Sequence, residues 1–197
     1  MTEALVVSNI ILWLVVLALL LTVLALARQV GILYERIAPM GALMLDHGPK
    51  VGEMSPVFGL DSLGGGNVAV GLATGKKSQL LFFLSPTCPV CKKLLPILKS
   101  IREVEGKWLD VVFASDGERT EHIDFYRKAR LEDFPYVLSA ALGMAFKVGK
   151  LPYAVLIDGD GRVRAKGLVN SREQLESLFS AKELGVASVQ EYIDQHA

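Results

Sequence analysis

The sequence predicts an α/β domain built on a central mixed sheet with helices on both faces, preceded by one N-terminal transmembrane helix. Three observations lead there. Residues 4–27 carry no charge at all. From Gly52 onward, apolar runs of strand length alternate with segments of helical spacing. An Asp158-Gly159-Asp160-Gly161 turn then joins two further strand-like runs as a hairpin.

Composition sets limits on function. The 197 residues are 51% hydrophobic, with a mean hydropathy of +0.39, which excludes a disordered chain. Lys+Arg and Asp+Glu are both 21, so the net charge is zero and the electrostatic case for nucleic acid disappears. Two cysteines exclude a disulfide-rich framework and a four-thiolate zinc site.

The anchor comes first. Ala4–Ala27 is an uncharged stretch long enough, at about 1.5 Å per residue, to cross a hydrocarbon core of about 30 Å. A cleaved secretory signal is the competing reading, since Ala25-Leu26-Ala27 has the small-x-small form of a cleavage site. The apolar run exceeds the usual signal core and no basic segment precedes it, which favours an uncleaved anchor. The flanking basic residues, Arg28 and Arg36 after the span and none before it, point weakly to a cytoplasmic C-terminal side. Residues 28–51 read as a juxtamembrane linker, helical at first and broken at Pro39-Met40-Gly41.

The domain occupies residues 52–182. Gly64-Gly65-Gly66-Asn67 marks a loop tip. Leu80–Leu84 reads as a strand buried on both faces, and Cys88–Glu105 as a helix carrying Leu94, Leu95, Leu98 and Ile101. Leu109–Ala114 is a second buried strand. Glu118–Arg130 is a polar-faced helix with Ile123, Phe125 and Tyr126 as its apolar side. Ala154–Ile157 and Arg162–Gly167 flank the Asp-Gly-Asp-Gly turn, which lacks the further ligands of a calcium loop. Ser171 and Gln174 have capping-box spacing ahead of a last helix bearing Leu175, Leu178 and Phe179. Residues 183–197 form a tail, with a short helix expected at Ser188–Ile193.

The chemistry lies in Cys88-Pro89-Val90-Cys91, directly after an apolar strand and at the opening of a helix. Pro89 suits the first helical position, where its missing N–H costs nothing. Cys88 then sits at the N-cap, where free N–H groups and the positive helix end favour a thiolate. Cys91 lies on the same face one turn deeper, in reach of Cys88. A mixed disulfide on Cys88 can therefore be resolved by Cys91. Half a zinc site is the first alternative, but His47, His122 and His196 are far apart in sequence. An inert structural disulfide is the second, and so small a loop stabilises little. A peroxidatic cysteine would find Ser85 three residues before it, but Leu81 where a proline belongs. A copper chaperone would need one more residue between the cysteines. The expectation is redox chemistry on a Cys88–Cys91 disulfide, with no further cofactor and no metal.

At these residues the chain resembles the thioredoxin superfamily, in its membrane-anchored extracytoplasmic branch, over roughly residues 52–180. Gly52-Glu53-Met54-Ser55-Pro56-Val57-Phe58 is similar to the G-x-x-x-P-x-F opening of that branch and of the peroxiredoxins. Pro96 matches the proline that kinks the first thioredoxin helix, and Leu151-Pro152 resembles the cis-proline loop that faces the dithiol. The resemblance implies a thioredoxin-like fold, with Cys88 and Cys91 catalytic and Leu151 and Pro152 pairing with the substrate backbone. Three departures stand out. Thr87 replaces a tryptophan, Leu151 replaces a threonine or valine, and Phe82 stands where thioredoxin buries an aspartate serving the resolving thiol.

Ser85-Pro86-Thr87-Cys88-Pro89-Val90-Cys91-Lys92 beside an N-terminal anchor is similar to the accessory proteins that mature the small subunit of methylamine dehydrogenase. That resemblance implies a periplasmic thiol–disulfide oxidoreductase held in the inner membrane by residues 4–27. Its client would be that small subunit, and a separate, unidentified electron-transfer partner would reset the dithiol. Two other expectations are a general thiol reductase of cytochrome c assembly and a non-catalytic docking module using the same groove.

Overall fold

Which way each side chain points along the strands decides the layering of this domain. The computed structural model describes residues 2–36, 48–73, 75 and 77–184. The chain divides into two units, Met1–Leu45 and Asp46–Ala197. The first holds helix α1, Thr2–Arg36. Within it Val6–Arg28 has a mean hydropathy of 3.1 and is not buried anywhere along its length. A helix apolar all round is stable only in an apolar surrounding, and 23 residues suffice to span a bilayer core. Thr22 bonds back to the carbonyls of Ala18 and Leu19, so even this polar side chain needs no water. Helix α1 runs on past Arg28, so the linker begins helical as expected. The break at Pro39-Met40-Gly41 and the tail helix at Ser188–Ile193 lie outside the described residues, as do His47 and His196.

The second unit starts with a hairpin, β1 (Phe58–Asp61) against β2 (Asn67–Val70), whose tip is the glycine cluster. The chain continues through β3 (Ser78–Phe83), α2 (Pro89–Glu105), β4 (Leu109–Ser115) and α3 (Arg119–Lys128). It ends with β5 (Tyr136–Leu138), α4 (Ala140–Ala145), β6 (Tyr153–Ile157), β7 (Val163–Leu168) and α5 (Arg172–Leu184). Five strands form one sheet in the order β5-β4-β3-β6-β7. Strands β3, β4 and β5 are mutually parallel, while β6 runs antiparallel to both β3 and β7. This is the mixed sheet the sequence predicts.

Alternation splits the core into two layers. Leu80 and Phe82 of β3, Val111 and Phe113 of β4, and Leu156 of β6 pack under α2, α3 and α5. Leu81, Phe83, Val112, Val155 and Ile157 face the other way, against Leu142 of α4 and Val70 of the hairpin. Each such fully buried side chain contributes about 1.5–3 kcal/mol. Strands β3, β4 and β6 are buried almost throughout because both faces are covered, whereas β7 alternates Val163 and Ala165 inward with Arg164 and Lys166 half-exposed.

Several elements were not legible in advance. Strands β1, β2 and β5 are three or four residues long, and α4 has six, too short for a period to show. The inward side of α3 also differs from expectation. His122 and Tyr126 are buried, one turn apart, whereas Ile123 is only half-buried. The charged side chains Glu118, Glu121, Asp124, Arg127, Lys128 and Arg130 are all exposed, a solvated face.

The remaining turns behave as their residues dictate. Asp158 Oδ1 accepts from the backbone N–H groups of Asp160 and Arg162, closing the β6–β7 turn. Its other oxygen pairs with Arg164. At α5, Ser171 Oγ accepts from Gln174 N at 3.4 Å, and the Gln174 side chain returns to Asn170 N, one residue earlier than a capping box would place it.

The candidate redox site

The site is built where β3 stops. Leu84 N still donates to Ala114 O, extending the ladder by one residue. The chain then tightens, with Cys88 N donating to Ser85 O and the Ser85 and Thr87 hydroxyls 2.9 Å apart. Cys88 takes the N-cap of α2 with extended φ and ψ of −77° and 113°, and Pro89 opens the helix. Cys91 N donates to Cys88 Sγ at 3.2 Å, so sulfur fills the role an oxygen plays at most N-caps.

The two thiols differ in exposure. Cys88 is half-buried and Cys91 is fully buried, and neither is disulfide-bonded. Burial, with the Cys88 side chain adding to it, pushes the Cys91 thiol up to about 12. Exposed Lys92 and Lys93 follow directly.

The register brings the second predicted segment to the same end of the sheet. Tyr153 pairs with Phe83, so Leu151-Pro152 sits level with the stretch that leads from β3 into Cys88. The Leu151–Pro152 bond is cis, Pro152 is buried and Leu151 is exposed. Pro152 O accepts from Val169 N. Among the described residues, neither the N–H nor the C=O of Leu151 makes a hydrogen bond.

Phe82 occupies the place of the thioredoxin aspartate and shares its core cluster with Cys91. Its ring meets Phe113 edge-on at 6.0 Å, and Phe113 meets Tyr136 in the same way at 6.1 Å. The buried carboxylate Asp158 is at the other end of the sheet, just past Ile157, whose partner is Gln79. A pair that sequence reasoning missed lies on the Cys91 side instead. His122 Nε2 donates to Asp116 O at 2.8 Å, which leaves Nδ1 to accept from the Tyr136 hydroxyl at 2.7 Å. Burial raises the Tyr136 phenol above its ordinary range; Ser115 opposes this and charge on Cys91 adds to it. The available signal was the i, i+4 spacing of His122 and Tyr126 on one face of α3.

Comparison with known proteins agrees with this architecture. Residues 68–182 match the family described as Thioredoxin-like domain. Among solved structures, a Chlorobium tepidum protein assigned as the thiol:disulfide interchange protein DsbE superposes with a TM-score of 0.61 at 20% identity, covering 68% of this chain and 99% of its own. StoA from Bacillus subtilis gives 0.54 at 22% identity, covering 63% and 96%. At such identities the likeness shows the fold. The sequence relatives go further. Methylamine utilization protein MauD of Paracoccus versutus is 50% identical, with 96% of this chain and 94% of the relative aligned. Its counterparts in Paracoccus denitrificans and Methylorubrum extorquens are 50% and 49% identical, with 98% and 97% of this chain aligned, and 96% and 93% of theirs. The match covers nearly the whole chain, the N-terminal apolar helix as well as the domain with both cysteines, and the chain belongs to the MauD family of thioredoxin-like proteins.

Proposed function

We propose that the protein is a membrane-anchored thiol–disulfide oxidoreductase of methylamine utilisation, working from the periplasmic side of the inner membrane on the small subunit of methylamine dehydrogenase. One observation carries the chemistry: an accessible sulfur at a helix N-cap backed by a second, buried sulfur one turn deeper. The client and compartment rest on the family, since a disulfide-rich periplasmic subunit needs a thiol catalyst on its own side of the membrane.

Accessible Cys88 is the attacking sulfur. Its thiolate attacks a client disulfide, forming a Cys88–client bond and expelling the other client sulfur as a thiolate. Cys91 then loses its proton to solvent or a nearby base and attacks Cys88 Sγ, releasing the second client thiol. Two electrons pass from dithiol to client. The reverse sequence oxidises the client, and attack followed by displacement of Cys88 by a different client thiolate, which forms a new client disulfide and frees the Cys88 thiolate, isomerises it. Leu151 and Pro152 present the client strand. The dithiol carries the electrons, with no other cofactor. An electron-transfer partner outside this chain resets it, because the span from Val6 to Ala27 contains no cysteine or ionisable side chain.

Full-length Cys91→Ser in methylamine-grown cells tests this. Cys88 can still attack but the adduct cannot be resolved, so clients remain bound and are identified by mass. The expected adduct is the methylamine dehydrogenase small subunit. Cytochrome c assembly proteins in its place would overturn the client, and the absence of any adduct would overturn the redox role. A topology reporter fused after Ala197 should read periplasmic, against the weak charge count around the span; a cytoplasmic reading sinks the client assignment.

A further inference from the structure

The layer beneath α2 offers the Cys91 proton few places to go. Among the described residues, the other buried ionisable side chains are His122, Tyr126, Tyr136, Tyr153 and Asp158. Asp158 is at the far end of the sheet, and Tyr153 belongs to the layer on the opposite face. Tyr126 turns its hydroxyl against Gly64, where an added Cβ would collide with it. Tyr136 and His122 remain, hydrogen-bonded to each other at 2.7 Å. We infer that His122, reached through the Tyr136 hydroxyl, takes up the proton that Cys91 gives up when it resolves a mixed disulfide. The inference deepens the thiol–disulfide reading and rests on it.

Placement supports the pair. Tyr136 and Cys91 share one buried cluster, and charge on Cys91 is felt at the Tyr136 phenol. Ser115 joins them. Its hydroxyl donates to Leu84 O at 2.7 Å and also bears on the Tyr136 phenol. Leu84 precedes Ser85, whose amide favours a thiolate at Cys91. Ser115 of β4, Tyr136 of β5 and His122 of α3 thus form a polar track in an otherwise apolar layer.

His122 is also set to hold the proton. Its Nε2–H donates to Asp116 O at 2.8 Å, which fixes Nδ1 as the acceptor. A proton arriving at Nδ1 makes a cation whose two N–H groups both face an oxygen, of Tyr136 and of Asp116. The charged neighbours along the chain are Asp116, Glu118 and Glu121 against Arg119, all exposed, an acidic excess that favours the cation. On the other side, exposed Lys92 and Lys93 favour the thiolate.

The step balances. The electron pair of the Cys91 S–H bond forms the new bond to Cys88 Sγ, and the client sulfur leaves as a thiolate. The proton crosses by the Ser115 and Tyr136 hydroxyls to His122 Nδ1, each oxygen taking one proton as it gives another. Solvent then carries a proton from His122 to the client thiolate.

Transfer inside the protein leaves the number of bound protons unchanged, so its rate does not follow pH, whereas loss to water does. The reduced full-length protein, in detergent, is mixed with the aromatic disulfide dithiobis(nitrobenzoate) by stopped flow. The first dye thiolate reports attack by Cys88, and the second reports resolution by Cys91. Between about pH 7 and 9 the second rate should stay within about twofold in the parent, and climb about tenfold per unit in His122→Asn and Tyr136→Phe. The amide oxygen of His122→Asn still accepts from Tyr136 but takes no proton, which separates basicity from packing. Partial loss of folded protein lowers the amplitude and not the slope. A tenfold climb in the parent, or a flat profile kept by either variant, would overturn the role of His122. No release of the first dye thiolate would instead overturn the redox reading beneath it.

Discussion

Cys88 and Cys91 are three residues apart yet face different surroundings, and that difference sets how the site should respond to pH. A buried thiol held at about 12 is almost wholly protonated near neutrality. If the proton leaves to water, resolution of a Cys88 mixed disulfide should speed up about tenfold per pH unit between roughly pH 6 and 9. Stopped-flow release of a dye thiol from Cys88 measures this directly. A plateau in that range would place a proton acceptor beside Cys91. The His122–Tyr136 pair makes a second residue-level prediction. Tyr136→Phe removes the hydroxyl that His122 Nδ1 accepts from and leaves a buried ring nitrogen unpaired. The cost should be about 1–3 kcal/mol, read as a lower thermal midpoint in the full-length protein. An unchanged midpoint would mean that water replaces the hydroxyl there. The cysteines could be found in the sequence because their chemistry sits within four consecutive residues. The His122–Tyr136 bond could not, because its partners lie on different elements and meet only when α3 packs on β5.

Among the elements, the β6–β7 hairpin depends most on one charge. Burial works against the Asp158 carboxylate, but the Arg162 amide, the Arg164 guanidinium and the Asp160 amide outweigh it and hold the carboxyl below its ordinary value. Since the folded state binds this proton less readily than the unfolded chain, the stabilisation is present in full above the ordinary value of 3.8. It is lost as pH falls below that through the folded value. Acid unfolding of Asp158→Asn should therefore begin from a lower stability and show a shallower fall below about pH 4; an unchanged slope would refute the role. Helix α2 shows the other kind of dependence. Leu98 is fully buried in the middle of its inward face, so Leu98→Ala should cost about 2–5 kcal/mol, measured by chemical denaturation. Helices α2 and α5 and strands β3 and β4 were legible because they are long enough for a period to repeat. Strands β1, β2 and β5 and helix α4 depend on neighbours distant in sequence and were not.

At the scale of the whole molecule, an apolar helix long enough to cross a membrane precedes a two-layered α/β domain. The anchor makes its own prediction. Membranes washed with alkaline carbonate should retain the chain, and its mass should include residues 1–27. Release into the wash, or a mass lacking that segment, would restore the cleaved-signal reading. The sequence by itself determined an apolar helix long enough to cross a membrane, the mixed sheet and two cysteines at i, i+3, because charge depletion, hydrophobic period and residue spacing are local properties of a chain. Only the tertiary structure decided that Phe82 lines up with Phe113 and Tyr136 across three strands, that His122 turns inward, and that Leu151-Pro152 lies level with the stretch leading into Cys88. Each of those is a contact between elements, and contacts form by register and packing, which no local window of sequence contains.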